Sequence, residues 1–256
     1  MEILKKATTA DKKPKYDCIL ICGGKGTRIR PITNDKIPKA LVKVDGKELI
    51  QYSLDLLDHS MFDKLIFAVD HHEEQILRWV ESISLPYNIS FSHQEYPGFL
   101  NAVKCAFDKS DKETILLLHT DVIRVDMRLQ EAFEFHESSN MPGTVVTTYA
   151  DRLYHHWVVS FEPESKNVLG FTVRDQEYRR KPSDRRPVLT GTMILDREVL
   201  AYTDRDVSID FAGLVQPLVD ANKLGIYISQ TQALFDVGTP EEFQEAEAYF
   251  KMLRRG

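Results

Sequence analysis

The chain is 256 residues long, with 43% hydrophobic and 28% charged residues, values that exclude a disordered or membrane-embedded protein and allow a sizeable core. A formal net charge of −6 excludes the basic surface of a nucleic-acid binder, although a small anionic ligand held by a local cluster of donors stays open. The three cysteines, Cys18, Cys22 and Cys105, lack CxxC spacing and indicate neither a disulfide framework nor a zinc site; all three are expected to be buried, reduced and structural.

Residues 1–16 are polar and Lys-rich, without the apolar stretch of a secretory signal, and are expected to be a flexible extension. A single domain is expected over 17–256, in the cytoplasm, since no apolar run is long enough to span a bilayer. From residue 17 onward, short apolar runs alternate with segments of helical period, which predicts an α/β fold with a mainly parallel sheet covered by helices. Strands are predicted at 18–22, 41–44, 64–70, 88–94, 114–119 and 144–149, and helices at 48–58, 72–83, 99–107 and 128–138, with a loop or connection after residue 121.

Over 155–195 the pattern changes. Strand-like runs at 157–161, 168–173 and 189–195 follow one another without helices, so antiparallel strands are expected in the second half, around an exposed charged loop at 175–187. A helix at 210–222, a strand at 225–228 and a terminal helix at 240–253 with Thr239 as its N-cap complete the chain. The pairs His71-His72 and His155-His156 read as ordinary surface histidines, because adjacent side chains on a strand or turn point apart.

Gly23-Gly24-Lys25-Gly26-Thr27-Arg28 directly follows the first predicted strand, where glycines admit positive φ and bring backbone N–H groups close to an anionic ligand. It matches neither a Walker-type loop nor the dinucleotide fingerprint, because no Gly-Lys-Ser/Thr follows and Ile29 stands at the last glycine position. Read with its sequel, Arg30-Pro31-Ile32-Thr33, then Pro38-Lys39-Ala40-Leu41 and Gly46-Lys47, the segment resembles the sugar-1-phosphate nucleotidyltransferase family, the NDP-sugar pyrophosphorylases, with their GGxGTRLxPLT, PKP and GKP pattern. The resemblance covers 17–249 and implies a Rossmann-like nucleotidyltransferase fold, with helices on both faces of the sheet.

Its implications for the site are specific. Gly23, Gly24, Gly26 and Thr27 would cradle the nucleotide's phosphates, Arg28 would grip the triphosphate near the leaving pyrophosphate, and Lys39 would reach the α-phosphate or the sugar phosphate. Asp121 ends an apolar strand where α/β proteins build their sites, and Asp236 lies in Leu234-Phe235-Asp236-Val237-Gly238-Thr239-Pro240, similar to the family's WxDxGTP. Two carboxylates plus phosphate oxygens suit Mg²⁺.

Gln94 and Gly98 fall in the segment that reads the base in this family, although Phe99 and Leu100 replace its usual small residues. The sugar side departs further. Phe171-Thr172-Val173-Arg174-Asp175 stands where the family has F-x-E-K-P, so the cation toward the sugar phosphate is either Arg174 or Lys181, and Thr190-Gly191-Thr192 resembles the later sugar-proximal step without its Asn.

The implied activity is Mg²⁺-dependent transfer of a nucleoside monophosphate from an NTP to a sugar 1-phosphate, releasing pyrophosphate. A phosphorylated heptose, alditol or cyclitol as acceptor, and a relative that binds without turnover, are the alternatives. The expected partners are NTP and sugar 1-phosphate, with no nucleic acid and no membrane, and a homo-oligomer is left open.

Overall fold

The structure, a computed structural model, describes residues 15–94, 96–149, 157–173, 186–203 and 210–254. Expectations for residues 1–14, for His155 and His156, and for the charged loop as far as residue 185 lie outside the described residues. In the first half, β1 (Tyr16–Ile21) leads into α1 (Arg30–Thr33), β2 (Lys43–Val44), β3 (Lys47–Glu48), α2 (Leu49–Leu54), β4 (Phe62–Val69), α3 (Glu73–Ser82), β5 (Asn88–His93), α4 (Phe99–Phe107) and β6 (Thr114–His119). The second half adds β7 (Val122–Val125), α5 (Leu129–Ser139), β8 (Gly143–Thr148), β9 (Trp157–Phe161), β10 (Val168–Val173) and β11 (Val188–Asp196). It ends with α6 (Phe211–Asp220), β12 (Leu224–Ile228), β13 (Ala233–Asp236) and α7 (Pro240–Leu253).

A nine-stranded sheet organises the molecule in the order β10-β9-β11-β6-β1-β4-β5, with β8 joined to β11 and β12 to β8. The strands β6, β1, β4 and β5 are parallel, whereas β11 pairs antiparallel with β6, β8 and β9, and β9 antiparallel with β10. This is the expected combination of a parallel centre with antiparallel strands contributed by the second half. Because β4 and β6 flank β1 on opposite sides, the chain reverses its winding there, and a crevice opens at the carboxyl ends of these strands.

The central strands read as unbroken apolar runs because both faces are covered. Cys18, Leu20, Leu116 and Leu118 face a cluster with Ile50, Leu54, Ile76 and Phe133, from α2, α3 and α5. The alternate residues Ile19, Ile115 and Leu117 face Val103, Phe107, Leu214 and Leu218, from α4 and α6. A third cluster, with Ile29, Val42, Leu49, Ile123 and Val237 fully or almost fully buried, lies where the glycine-turn segment meets β7 and α7.

Four local expectations are corrected. Tyr16 is not part of an extension: it opens β1, 6% exposed, with its ring stacked 4.0 Å from that of Phe133. The helix expected over 48–58 stops at Leu54, after which Leu56 and Leu57 are held by turn hydrogen bonds to Ser53 and Leu54 carbonyls. The connection after residue 121 is the strand β7, which pairs antiparallel with β13, a strand not anticipated at all. Cys105 is half-buried on the flank of α4 and donates to Asn101 Oδ1 at 3.6 Å, whereas Cys18 and Cys22 are buried as expected. Burial pushes the Cys22 thiol up to about 12. No helix among the described residues is long and apolar enough to cross a membrane.

Candidate active site

The crevice is built by the segments that leave β1, β4 and β6. After β1, the Cys22 and Gly23 N–H groups both donate to Ala68 C=O, at 2.9 and 3.1 Å, which ties the glycine turn to the neighbouring strand. Gly24 and Gly26 then take φ of 122° and 55°, left-handed values that favour glycine. A short 3₁₀ turn, Thr27–Ile29, runs straight into α1, and fully buried Ile29 anchors it in the third core cluster while Arg28 stays exposed. The residue that breaks the dinucleotide fingerprint therefore fastens the loop.

On the other side of β1, the chain leaves β6 through Thr120-Asp121 and immediately re-enters a ladder. Asp236 sits opposite Val122 in the β7–β13 pairing, and Val237 N–H donates to Asp121 C=O at 2.9 Å. Residues separated by more than a hundred positions are thus neighbours. Between the two acids stands Lys39, from the 3₁₀ turn Lys39–Leu41: its Nζ is 2.6 Å from Asp121 Oδ2 and 4.0 Å from Asp236 Oδ1.

This cluster sets its own ionisation. Burial would raise Asp121, but the Lys39 ammonium, helped by His119 and Arg124, outweighs it and holds the carboxyl well below the usual range. Asp236 is displaced the other way, raised by burial and by the negative charge of Asp121. Burial would lower Lys39, yet the two carboxylates hold it above its ordinary value. His119 is lowered, chiefly by burial.

Two cavities meet at Asp121. The larger, about 360 Å³, is lined by Gly23, Gly24, Lys39, Gln94, Gly98 and Asp121. Gly98, with φ of 140°, precedes α4, and the Phe99 ring lies 5.2 Å from that of His119. The smaller, about 230 Å³, is bounded by Arg28, Asp236, Gly191, Trp157 and Phe211, and it shares His119 and Asp121 with the first. Arg28 reaches it across Gly238, where an added Cβ would lie only 3.0 Å from the guanidinium.

Most of the expected residues converge, with exceptions. Gly26 and Thr27 line neither cavity; they turn the chain toward Arg28 and do not face the opening. Arg174 and Lys181 lie outside the described residues. Lys25, Asp70, Phe99 and His119 line the larger cavity without having been singled out as site residues.

The most consequential residue missed is Arg124. Buried at 4% exposure, it donates to Thr190 C=O at 2.7 Å, Val122 C=O at 2.8 Å, His119 C=O at 3.0 Å and Gly191 C=O at 2.7 Å. It thereby clamps both ends of the turn that carries Asp121 to the bulge of β11 that carries Gly191. Gly191 has φ of 64°, and a Cβ there would lie 2.9 Å from Arg124 Nη2 and 3.0 Å from both His119 Cβ and Val122 Cγ2. The one available signal was a lone Arg within the apolar run Val122-Ile123-Arg124-Val125.

Known proteins resemble this chain over most of its length. The family model for nucleotidyl transferases matches residues 17–251. The mannose-1-phosphate guanylyltransferase catalytic subunit beta of Dictyostelium discoideum is 26% identical over 230 residues, covering 88% of this chain and 62% of that protein. The mannose-1-phosphate guanyltransferase of Saccharomyces cerevisiae is 25% identical over 232 residues with the same coverage. The chain therefore spans about 62% of the length of these curated relatives.

Among solved structures, HddC from Yersinia pseudotuberculosis superposes with a TM-score of 0.72 at 17% identity, covering 92% of this chain and 99% of that one. The inositol-1-phosphate CTP transferase from T. maritima gives 0.73 at 14% identity, over 94% and 98%. Such likenesses establish the Rossmann-like α/β fold.

Proposed function

The chain belongs to the nucleotidyl transferase family, and from that premise we propose that it transfers a nucleoside monophosphate from an NTP to a sugar 1-phosphate and releases pyrophosphate. The observation that carries this reading is the junction of two unequal cavities at one carboxylate, Asp121, with Lys39 and Asp236 beside it. A reaction between two bound phosphates needs such a boundary, where reacting groups from both sides meet in line.

In this reading the larger cavity takes the nucleotide. The turn at Gly24 holds its phosphates, the Gly23 N–H being committed to Ala68 C=O, and Gln94 and the backbone at Gly98 meet the base. The smaller cavity takes the sugar phosphate, between Gly191 and the aromatic walls of Trp157 and Phe211. A phosphate oxygen of the sugar 1-phosphate attacks the α-phosphorus, a new P–O bond forms, and the bond to the β-phosphate oxygen breaks, so that pyrophosphate leaves on the glycine-turn side of the larger cavity; Arg28, expected at the leaving pyrophosphate, instead bounds the smaller cavity and faces the sugar phosphate. Lys39 exchanges its pair with Asp121 for the α-phosphate, where negative charge grows in the transition state.

The donor set fits a hard divalent cation. Two carboxylates flank a positive charge, and the Lys39 ammonium is the stand-in for it. Asp121 and Asp236 would hold Mg²⁺, which supplies charge neutralisation on phosphate oxygens when bound. Burial and the negative charge of Asp121 raise Asp236, and a cation held between the two carboxylates would offset that repulsion.

A matrix of NTPs against sugar 1-phosphates, read by pyrophosphate release with and without Mg²⁺, tests the proposal. GTP with mannose 1-phosphate heads it, after the names of the curated relatives, and heptose, alditol and cyclitol phosphates form the other acceptor arm. Release that requires both substrates supports the reading; tight binding without release with any pair supports the non-catalytic alternative.

A further inference from the structure

Adjacent histidines on a turn are expected to diverge, yet His71 and His72, between β4 and α3, have ring centroids only 3.9 Å apart. His72 is the cause. Its φ of 59° is left-handed, which folds its ring back over its neighbour's instead of sending it to the opposite side. The third member comes from the stretch joining Arg28 to Lys39: one oxygen of Asp35 and one nitrogen of each imidazole all lie within 4.8 Å of one another. His71 Nε2 is 3.5 Å from Asp35 Oδ1, while Asp35 Oδ2 is 3.7 Å from Arg30.

Nε2 of His71 and Nε2 of His72 are both shut off from solvent, and neither has a hydrogen-bond partner among the described residues. Unpaired buried nitrogens are unfavourable, and two of them beside a carboxylate are the donor set a borderline-soft cation takes. We propose that Asp35, His71 and His72 form a second cation site, for one Zn²⁺-type ion with water completing a tetrahedron. Metal–ligand bonds of about 2.0–2.2 Å at tetrahedral angles separate donor atoms by roughly 3.4 Å. The observed His71–Asp35 separation of 3.5 Å already meets that value.

The site is chemically distinct from the Asp121–Asp236 pair, because two imidazoles select Zn²⁺ over Mg²⁺ and two carboxylates select the reverse. Its placement gives it a mechanical consequence. Asp35 lies in the connection from Arg28 to Lys39, and His71 follows Asp70, which packs against Gly23. Gln75 Nε2 already bonds Lys36 C=O at 2.8 Å across the same gap. A bound ion would lock the segment between Arg28 and Lys39 to the carboxyl end of β4, whatever reaction the crevice performs.

The test uses the full chain, stripped with a chelator and kept in excess Mg²⁺, titrated with Co²⁺ by visible absorption and with Zn²⁺ by competition. One equivalent of Co²⁺ is expected, with intense four-coordinate bands, paramagnetic shifts of both His71 and His72 ring protons, and a higher melting temperature. His72→Gln and Asp35→Asn should each weaken binding at least ~10-fold, with the melting temperature of the stripped chain little changed. No Co²⁺ binding under these conditions overturns the proposal. So does binding that leaves both ring signals unshifted, or that is lost in Asp121→Asn and kept in His72→Gln. The ring shifts are read on the unsubstituted chain, so the outcome does not depend on how the variants fold.

Discussion

Lys39 Nζ lies 2.6 Å from Asp121 Oδ2, closer than to any other carboxylate oxygen it pairs with, and so the ligand-free crevice is held by an ion pair between two residues assigned to phosphate chemistry. In the proposed reaction the pair opens before substrate is gripped. Its side chains are 15% and 30% exposed, enough for solvent to assist the exchange.

Replacing Lys39 by Met leaves two carboxylates facing each other without a counter-charge. Turnover is expected to fall at least ~100-fold. The ligand-free chain is expected to melt lower than the parent at pH 8, with the gap narrower at pH 5, where Asp236 takes up a proton while the parent keeps its Lys39–Asp121 pair. Paired pyrophosphate assays and melting curves at the two pH values check this.

Asp236 supplies a signed pH prediction. Its folded pKa is raised by burial and by Asp121, so the native state retains a proton that the unfolded chain has already released. Stability is therefore lost as pH rises from the ordinary carboxylate range through the raised value. Asp236→Asn removes that loss, and the ligand-free chain should gain roughly 1 kcal/mol at pH 8 and little at pH 4. Urea unfolding at both pH values measures it, and turnover should fall in the same variant.

Arg124→Met withdraws the donors that satisfy four backbone carbonyls around the Asp121 turn, two of them in fully buried hydrogen bonds. Orphaned acceptors of this kind cost roughly 3 kcal/mol or more in total. The denaturant midpoint should fall accordingly.

Gly191→Ala forces a side chain into left-handed backbone with three atoms within 3.0 Å. A cost of roughly 1–3 kcal/mol is expected. Because Gly191 borders only the smaller cavity, KM for the sugar phosphate should rise more than KM for the NTP. Initial-rate kinetics with each substrate varied in turn separates the two.

Much of this architecture was legible in the residues themselves. The run Ile115–Leu118 announced a buried strand, Thr239-Pro240 marked the start of α7, and the spans of α4 and α7 match the expected 99–107 and 240–253 from end to end. Thr239 accepts from Glu242 N–H at 3.2 Å, the expected cap. The β7–β13 ladder was not legible, because each strand is four residues long and pairs only with the other, leaving no period to read.

At the site, motif spacing marked Lys39, Asp121 and Asp236 as a set, and their proximity is geometric fact; their roles are the proposal. Arg124 stayed hidden because its function is to fill backbone acceptors, which no side-chain motif records. The contact between His71 and His72 was misjudged because a left-handed residue reverses the usual divergence.

In the proposed reaction Asp121 stands where two bound phosphates meet. The most direct test of this is pyrophosphate release by the parent chain and by Asp121→Asn, side by side, with NTP, sugar 1-phosphate and Mg²⁺. Release is expected to need both substrates, to match NDP-sugar formed, and to be cut at least ~100-fold in the variant while its fold is retained. Equal release by the two chains, or release from NTP with no acceptor present, would contradict it.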